Sequence, residues 1–431
     1  MRGRIAVGLA AAGVLVGAAV YASPLGAEPA ADTTLIRLTA PAAPPPVTAV
    51  ERMDAARSST VLGLDLLHSL AAPGAGGAPG NLTLSPSSLA TALAMLLPGT
   101  RGATRTEITR MLHTTLTPEQ YAQAVGALDR AEQAASKADH TTLEQADTLW
   151  VQQGYRIQQP YLGTLASAFD TGVRTTDFGR DPDGARRAVN QLVDQQTHGA
   201  VKELLGQGSV DGLTRLVLTD ALYLHAAWAE PFAKPETAPA PFHLQSGRTV
   251  TAQLMHRTQP VPYAAVPGWQ AVELPYQGGH LAMDLLLPDS GDFSGRSAAL
   301  TAPVLDGLLG GLQRTRLDLS VPRFGFDYGG RLDSVLQGMG MRTAFTNAAD
   351  LGGIPANGEA LHLAEVAQRT RVAVTEDGTT AAAATGIVGE ATSAQAAPGR
   401  SLSFDRPFLF LIRDVTDGRT LFLGQVTDPG A

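Results

Sequence analysis

The stretch TEDGTTAAAATGIVGEATSAQAAPGR covers residues 375–400, close to the C-terminus of this 431-residue chain. Between residues 378 and 397 it holds one charged residue, Glu390, and no aromatic residue or proline. Connections between secondary-structure elements usually run to about 4–6 residues, so twenty small residues in a row need a reason. Either the stretch is a flexible linker between domains, or its small side chains are themselves the functional feature.

The segments that flank this stretch predict core strands. Downstream, RPFLFLIRDVTDGRTLFLGQV (residues 406–426) predicts two apolar strands joined by a hairpin at Asp417 and Gly418. Because core strands lie on both sides, the stretch is predicted to be a loop within one domain and not a linker. Long loops in such positions are usually functional.

The remaining elements alternate between helices and strands without a regular βαβ spacing. Leucines at helical intervals predict a helix over residues 61–71, and serines and a proline before an apolar run predict a capped helix start at residues 85–97. Residues 188–205 predict an amphipathic helix, and residues 214–228 predict a long buried strand.

The N-terminus has the pattern of a secretory signal. MRGR precedes an uncharged run over residues 5–20, and small or compact residues at 20–22 predict cleavage after Ala22, so that residues 1–22 are the signal peptide. The alternative is an uncleaved membrane anchor, although sixteen residues are fewer than the ~20 that a spanning helix needs. Residues 23–49, rich in proline and alanine, predict a disordered tether, and residues 50–431 the folded domain.

Composition excludes several classes of function. The chain has no cysteine, which excludes a disulfide framework and a thiolate metal site. Its net charge is −8 with no basic cluster, so nucleic acid and glycosaminoglycan are not expected partners. Metalloprotease, serine-nucleophile and phosphate-binding motifs are missing, and the nine histidines are scattered. We therefore expect no catalytic residue, metal or cofactor, and hence no enzyme.

Several segments, in order along the chain, resemble the serpin family of serine protease inhibitors. They are NLTLSPSSLATALAMLLPGTRGATRTEI (81–108), VNQLVDQQTHGAVKELL (189–205), LVLTDALYLHAAWAEPF (216–232), ADLGGI (349–354), EDGTTAAAATG (376–386) and FDRPFLFLIRD (404–414). The resemblance covers roughly residues 50–425. It implies an α+β serpin fold in one monomeric domain, with a large central β-sheet, additional sheets, about eight or nine helices and an exposed reactive-centre loop.

The resemblance also implies what the small residues do. In serpins this loop is bait for a serine protease, and after cleavage it inserts as a new strand into the central sheet, trapping the protease as an acyl complex. Alternate side chains of such a strand must enter the core, so they must be small, and Thr379 is expected to turn inward first. The implied hinge consists of Glu376, Gly378, Thr379, Thr380, Ala381, Ala382, Ala383, Ala384 and Thr385.

The scissile bond has two candidate positions. Counting seventeen residues from Glu376, as the family does, places it at Thr392–Ser393, whereas counting back from Pro407 and Phe408 places it at Ala396–Ala397. Neither has an arginine or lysine before the bond, and Arg400 would serve only if the bond lay further downstream. Small residues favour an extracellular protease of the elastase or subtilisin kind, because a trypsin-like pocket requires a cation.

The region where the sheet opens departs from the family pattern. The resemblance assigns Ser85, Ser88 and Trp228 to it, with Asp220 where serpins usually have asparagine and Gln368 where they have histidine. We predict a hydrogen bond between Gln368 and Asp220, since an amide can donate to a buried carboxylate. Without a histidine, opening should lose one source of pH sensitivity near neutrality. A non-inhibitory serpin that acts as a binding module and a secreted hydrolase remain the alternatives.

Overall fold

The structure is a computed structural model that describes residues 31–38, 43–72, 80–139, 141–289, 292–379 and 400–430. Nine α-helices and two large β-sheets lie in these residues, which confirms the predicted α+β class. The helices are α1 (Ala49–Ala71), α2 (Pro86–Leu96), α3 (Gly102–Met111), α4 (Pro118–Ala138), α5 (Gln159–Phe169), α6 (Pro182–Gln196), α7 (Phe293–Ala298), α8 (Ala302–Gly310) and α9 (Asp333–Gly338).

Seventeen strands are found in the same residues. They are β1 (Thr34–Ile36), β2 (Leu82–Leu84), β3 (Thr142–Gln145), β4 (Thr148–Gln152), β5 (Val173–Thr176), β6 (Leu216–Ala227), β7 (Ala238–His243), β8 (Thr249–Val266), β9 (Trp269–Pro275), β10 (Leu281–Pro288), β11 (Gln313–Pro322), β12 (Phe324–Arg331), β13 (Glu365–Thr375), β14 (Gly378–Thr379), β15 (Arg400–Ser403), β16 (Phe408–Asp414) and β17 (Thr420–Val426).

The central sheet has the strand order β1-β5-β4-β6-β14-β13-β12, with β3 also paired to β6. Its middle strands, β6 and β13, are parallel neighbours from Val217 opposite Glu365 to Leu222 opposite Thr370. We call this boundary between β6 and β13 the seam. At the C-terminal ends of both strands, β14 lies between them and pairs with each.

The second sheet has the order β15-β11-β8-β9-β10-β16-β17-β2, with β7 paired to β8. Its β16–β17 hairpin is the one predicted from sequence, and Gly418 in the turn has a φ of +79°, which favours glycine. One hydrophobic core lies among α1, α2, α4, α5 and the central sheet, and another lies between the two sheets. A third core lies under α6, on the other face of the central sheet.

Local capping signals place the helix starts. Ser85 caps α2 by accepting a hydrogen bond from the Ser88 amide, as predicted, and Thr48 forms a capping box with Glu51 at the start of α1. The helix predicted over residues 61–71 is therefore longer, beginning at Ala49.

The helix predicted over residues 188–205 is wrong at its C-terminal end, because α6 stops at Gln196. His198 and Gly199 have φ values of +51° and +83°, and the Thr197 hydroxyl accepts a hydrogen bond from the Val201 amide. A left-handed pair of residues cannot continue an α-helix, so the chain turns there.

The predicted disordered tether over residues 23–49 is wrong at residues 34–36. Thr34–Ile36 form strand β1, which extends the central sheet by pairing with β5. Composition pointed to disorder because alanine and proline dominate the segment, whereas the partner strand lies well over a hundred residues away in sequence. The predicted signal peptide, residues 1–22, lies outside the described residues. No helix within the described ranges is long and apolar enough to cross a membrane.

Candidate functional site at the seam of the central sheet

The described part of the predicted hinge lies at one end of the seam, between the C-terminal ends of β6 and β13. Gly378 and Thr379 form β14, with Thr379 opposite Ala226 on β6 and opposite Val374 on β13. The chain therefore enters the central sheet at Gly378. The other predicted hinge residues, Thr380, Ala381, Ala382, Ala383, Ala384 and Thr385, and both candidate scissile bonds, Thr392–Ser393 and Ala396–Ala397, lie outside the described residues.

Gly378 is required by the backbone at this point. Its φ is +152°, and a Cβ atom there would overlap the carbonyl oxygen of Ala226. Both the dihedral angle and the close approach of β6 exclude a side chain. The glycine that the sequence assigned to a hinge is thus also the residue that lets the chain lie against β6.

Thr379 is already inside the sheet. Its side chain is 1% exposed, and its Oγ1 lies 2.5 Å from the hydroxyl of Tyr276. Tyr276 stacks on Trp228 with ring centroids 4.5 Å apart, and the Trp228 indole donates to the carbonyl of Thr375. The residue that was expected to turn inward first is therefore already inward in the intact chain.

Glu376, the first residue of the predicted hinge, is buried and paired with a cation. The Arg323 Nε donates to Glu376 Oε1 at 2.8 Å, its Nη2 contacts Oε2 at 2.5 Å, and the Thr237 hydroxyl donates to Oε1 at 2.6 Å. Burial by itself raises the pKa of Glu376, but the hydrogen bonds from Arg323 and Thr237 outweigh it and hold the pKa below its ordinary value. The turn before β14 is thus anchored by a charged carboxylate.

The middle of the seam is crossed by the predicted hydrogen bond. The Gln368 Nε2 donates to Asp220 Oδ2 at 2.6 Å, and both residues are buried, which confirms that prediction. Gln368 also donates to the carbonyl of Ser85 and accepts from its amide, at 2.8 and 3.1 Å. The Ser85 hydroxyl donates to that of Ser88 at 2.8 Å. One amide side chain therefore links β13, β6 and the start of α2.

Sequence reasoning missed a second carboxyl in this cluster, Asp147, between β3 and β4. Burial raises the pKa of Asp220 to about 7, although hydrogen bonds from Gln368, Ser88 and Asp147 lower it. Burial and the neighbouring charge of Asp220 raise the pKa of Asp147 well above its ordinary value. Burial thus raises the pKa values of two neighbouring carboxyls at the seam, where the sequence has no histidine. No local pattern marks Asp147, since its proximity to Asp220 arises only from strand pairing.

The far end of the loop is anchored in the second sheet. Arg400 begins β15, which runs parallel to β11. The Arg400 guanidinium donates to the Tyr263 hydroxyl and lies 5.2 Å from the centroid of that ring. Arg400 is therefore engaged as a strand residue, which argues against its use as the residue before the scissile bond.

The described hinge residues already form a short strand within the central sheet. Two parallel strands face each other with a short antiparallel segment already between their ends. Within the described ranges, no cluster of histidine, aspartate and glutamate residues could hold a metal ion.

Comparison with known proteins gives a consistent result. Residues 57–429 match the family model described as Serpin (serine protease inhibitor). The chain is 34% identical over 351 residues to an uncharacterized serpin-like protein of Thermococcus kodakarensis, covering 81% of each. It is 32% identical over 384 residues to leukocyte elastase inhibitor A of Mus musculus, covering 86% of this chain and 98% of the inhibitor. The fold is similar to that of uncleaved ovalbumin, with a TM-score of 0.78 at 24% identity, covering 87% of this chain and 99% of ovalbumin.

Proposed function

The chain belongs to the serpin family, and from that premise we propose that it inhibits an extracellular serine protease as a suicide substrate. The protease's own serine attacks the scissile carbonyl of the loop. The cleaved loop then inserts into the seam faster than the acyl bond is hydrolysed, and the displaced protease is left trapped. The relatives named as elastase inhibitors support protease inhibition in general.

One observation supports the proposal most directly. β14 already begins an additional strand between β6 and β13, and the rest of the cleaved loop could extend this strand along the seam. In the antiparallel register of β14, each further loop residue steps one residue back along both β6 and β13. Thr385 of a cleaved loop would then lie opposite Asp220 and Gln368. These two residues already face each other across the seam, so both strands give the same register.

The loop sequence suits that register. Thr379 shares the buried face with Ala226 and Val374, so every second loop residue would face the same core. The residues at those positions are small or apolar, namely Ala381, Ala383, Thr385 and Ile387. Ile387 would lie opposite the buried pair Leu218 and Val366.

Glu390, the charged residue of the loop, would lie beyond the end of the seam after insertion. Val388 would lie opposite Val217 and Glu365, the last pair of the seam. Glu390, the only charged residue between residues 378 and 397, would therefore lie two residues beyond that pair, at the end of the sheet. A charge in the sheet interior would oppose insertion, whereas one past its end does not. This supports insertion against the alternative of a non-inhibitory binding module.

The residues before the candidate scissile bonds favour one class of target protease. Both candidate scissile bonds, Thr392–Ser393 and Ala396–Ala397, follow small residues, which suit the shallow pockets of elastase-like or subtilisin-like proteases. We further propose that residues 1–22 direct secretion, with an uncleaved anchor as the alternative, and that the inhibitor acts as a monomer.

The test is incubation of the purified protein with pancreatic elastase, subtilisin and, as a control for pocket chemistry, trypsin. We expect an SDS-stable complex with elastase or subtilisin at near-equal stoichiometry, and no complex with trypsin. Clipping of the loop without any stable complex would contradict the proposal and favour a binding module. Ester hydrolysis by the protein alone would favour a hydrolase. Mass spectrometry of the released C-terminal peptide would identify the scissile bond.

A further inference from the structure

Residues 31–38, which we call the edge clamp, cover the outer edge of the central sheet. Within them, Thr34 pairs with Thr175, Leu35 with Arg174 and Ile36 with Val173, all antiparallel. Without these residues β5 would be an edge strand with unpaired backbone groups, and such an edge can accept another strand. In this chain its own N-terminal segment occupies that edge.

The domain is shaped to receive the clamp. A Cβ atom on Gly172 would overlap the carbonyl oxygen of Ile36, and the three heavy atoms nearest to that position all belong to residues 36 and 37. Ile36 and Leu38 pack against the core that contains Leu162 and Leu165 of α5. Glycine at position 172 therefore leaves the space that the clamp backbone fills.

The clamp also contacts the helix that covers the seam. The Ala31 amide donates to the carbonyl of Gly184, in the first turn of α6, at 3.0 Å. Val189 and Val193 of α6 share a core with Ala221 of β6 and Ala367 of β13, which lie on opposite sides of the seam. The clamp thus contacts both the edge strand β5 and helix α6, which packs against the strands on both sides of the seam.

The other end of the clamp leads into a part of the molecule that does not belong to the sheet. Residue 38 is separated by ten residues from the start of α1, which packs against α2 and β17. Insertion of a strand requires β6 and β13 to separate by about 4.8 Å, which shifts β5, β4 and β6 relative to the helices beneath them. The clamp pairs with β5 and its Ile36 and Leu38 pack against the core that contains α5, so a shift of β5 relative to that helix must strain or release one of these contacts.

We propose that the edge clamp is an intramolecular peptide ligand of the β5 edge that holds the seam closed until the loop is cleaved. This inference rests on the proposed insertion mechanism. Releasing the clamp lowers the barrier to opening, so that the intact loop inserts spontaneously and inhibitory activity is lost. The partner that fits this edge is an extended peptide with the sequence of residues 31–38, ADTTLIRL.

Three full-length variants test the proposal. Ile36→Asp disrupts the apolar contact of the clamp while leaving residues 43–431 unchanged. Gly172→Ala places a methyl group where the clamp backbone lies. Gly163→Ala is the matched control, because a Cβ atom there would make only an ordinary 3.8 Å contact with Leu38. The double variant Ile36→Asp/Gly172→Ala should be no worse than either single variant, since both act through one contact.

The first readout is hydrogen exchange, which does not depend on protease inhibition. We expect amides of residues 173–176 and of the seam, residues 217–222 and 365–370, to exchange about tenfold faster in Ile36→Asp and Gly172→Ala, and at the wild-type rate in Gly163→Ala. The free peptide ADTTLIRL should slow exchange again in Ile36→Asp and not in Gly172→Ala. Unchanged exchange in residues 173–176 would overturn the clamp itself.

The second readout is the half-life of inhibitory activity at 37 °C. We expect it to be about tenfold shorter in the two clamp variants. If the two clamp variants exchange faster at β5 but keep the half-life of the wild-type protein, the clamp has no role in seam opening. If the wild-type protein forms no complex with any protease, the proposed function fails. The exchange rates of the seam amides then decide by themselves whether the clamp holds the seam closed.

Discussion

The hydroxyl of Tyr276 lies 2.5 Å from Oγ1 of Thr379, so the residue that begins the proposed inserting strand is held inside the central sheet before any cleavage. Tyr276 belongs to the second sheet's side of the core, and Thr379 is paired on both sides by the central sheet. This contact joins the loop to the interior and makes Thr379 the position at which insertion is most easily blocked.

Thr379→Arg is expected to convert the protein from inhibitor to substrate. An unpaired guanidinium in this position costs several kcal/mol, so the side chain would draw residues 378–379 out of the sheet. An added barrier of about 1.4 kcal/mol already slows insertion tenfold, whereas deacylation by the protease is unaffected. The moles of inhibitor consumed per mole of protease silenced should rise by at least fivefold. Ala394→Arg, beyond the Thr392–Ser393 bond, is the control, and equal values for Thr379→Arg and wild type would contradict the insertion mechanism.

Cleavage of the loop is expected to raise the melting temperature. Thr379 is already paired, so nine further residues, 380–388, would then pair along the seam, and each added hydrogen bond contributes about 0.5–1.5 kcal/mol net. Calorimetry of intact protein and of protein nicked in the loop by a protease that it does not trap measures the difference. Nicked Thr379→Arg should gain less than nicked wild type. Identical melting temperatures for intact and nicked wild type would mean that no strand is added.

Asp220→Asn is expected to stabilise the protein at high pH and to have little effect at low pH. Burial raises the pKa of Asp220 to about 7 in the folded state, whereas an aspartate in an unfolded chain titrates near ~3.9. The wild-type protein therefore loses stability as pH rises from about 4 through 7, and asparagine removes that loss while still accepting the hydrogen bond from Gln368.

Urea unfolding at pH 5 and pH 8 measures this effect. Because one pKa unit corresponds to about 1.4 kcal/mol, we expect a gain of at least ~1 kcal/mol at pH 8 and a clearly smaller one at pH 5. Asp327→Asn is a suitable control, since that carboxylate is half-exposed and pairs with Arg371 at 3.6 Å. A gain for Asp220→Asn that does not depend on pH would contradict the assignment.

Arg323→Gln is expected to destabilise the hinge. Breaking a buried ion pair costs about 3–5 kcal/mol, but Arg323 is 45% exposed and solvent screens it, so a loss of ~1 kcal/mol is more realistic. Since hydrogen bonds hold the pKa of Glu376 below its ordinary value, the pair contributes above the unfolded pKa and its contribution is lost as pH falls through the folded pKa. The variant and wild type should therefore differ at pH 7 and converge in acid. Arg371→Gln, in the exposed pair with Asp327, should match wild type throughout.

The sequence predicted those elements whose signals are local. The capped start of α2 at Ser85, the buried strand β6 and the hairpin at Gly418 each follow from a few neighbouring residues, because capping, alternation and turn chemistry act over one or two turns of chain. The Gln368–Asp220 hydrogen bond was also predictable. The family resemblance assigned both residues to the same region, and an amide can donate a hydrogen bond to a carboxylate.

Long-range pairing decided the remainder. β1 was missed because composition cannot show that Val173–Thr176 offers an open edge, and Asp147 was missed because only the pairing of β3 and β4 with β6 brings it to Asp220. Contiguous residues were enough to predict the family, the class of fold and the small side chains of the loop. Three features follow only from the folded chain: Thr379 is already buried, burial raises the pKa of Asp220 to about 7, and the N-terminal segment covers the sheet edge. Burial, pKa and edge pairing depend on which distant residues meet, and that is settled only when the sheets assemble.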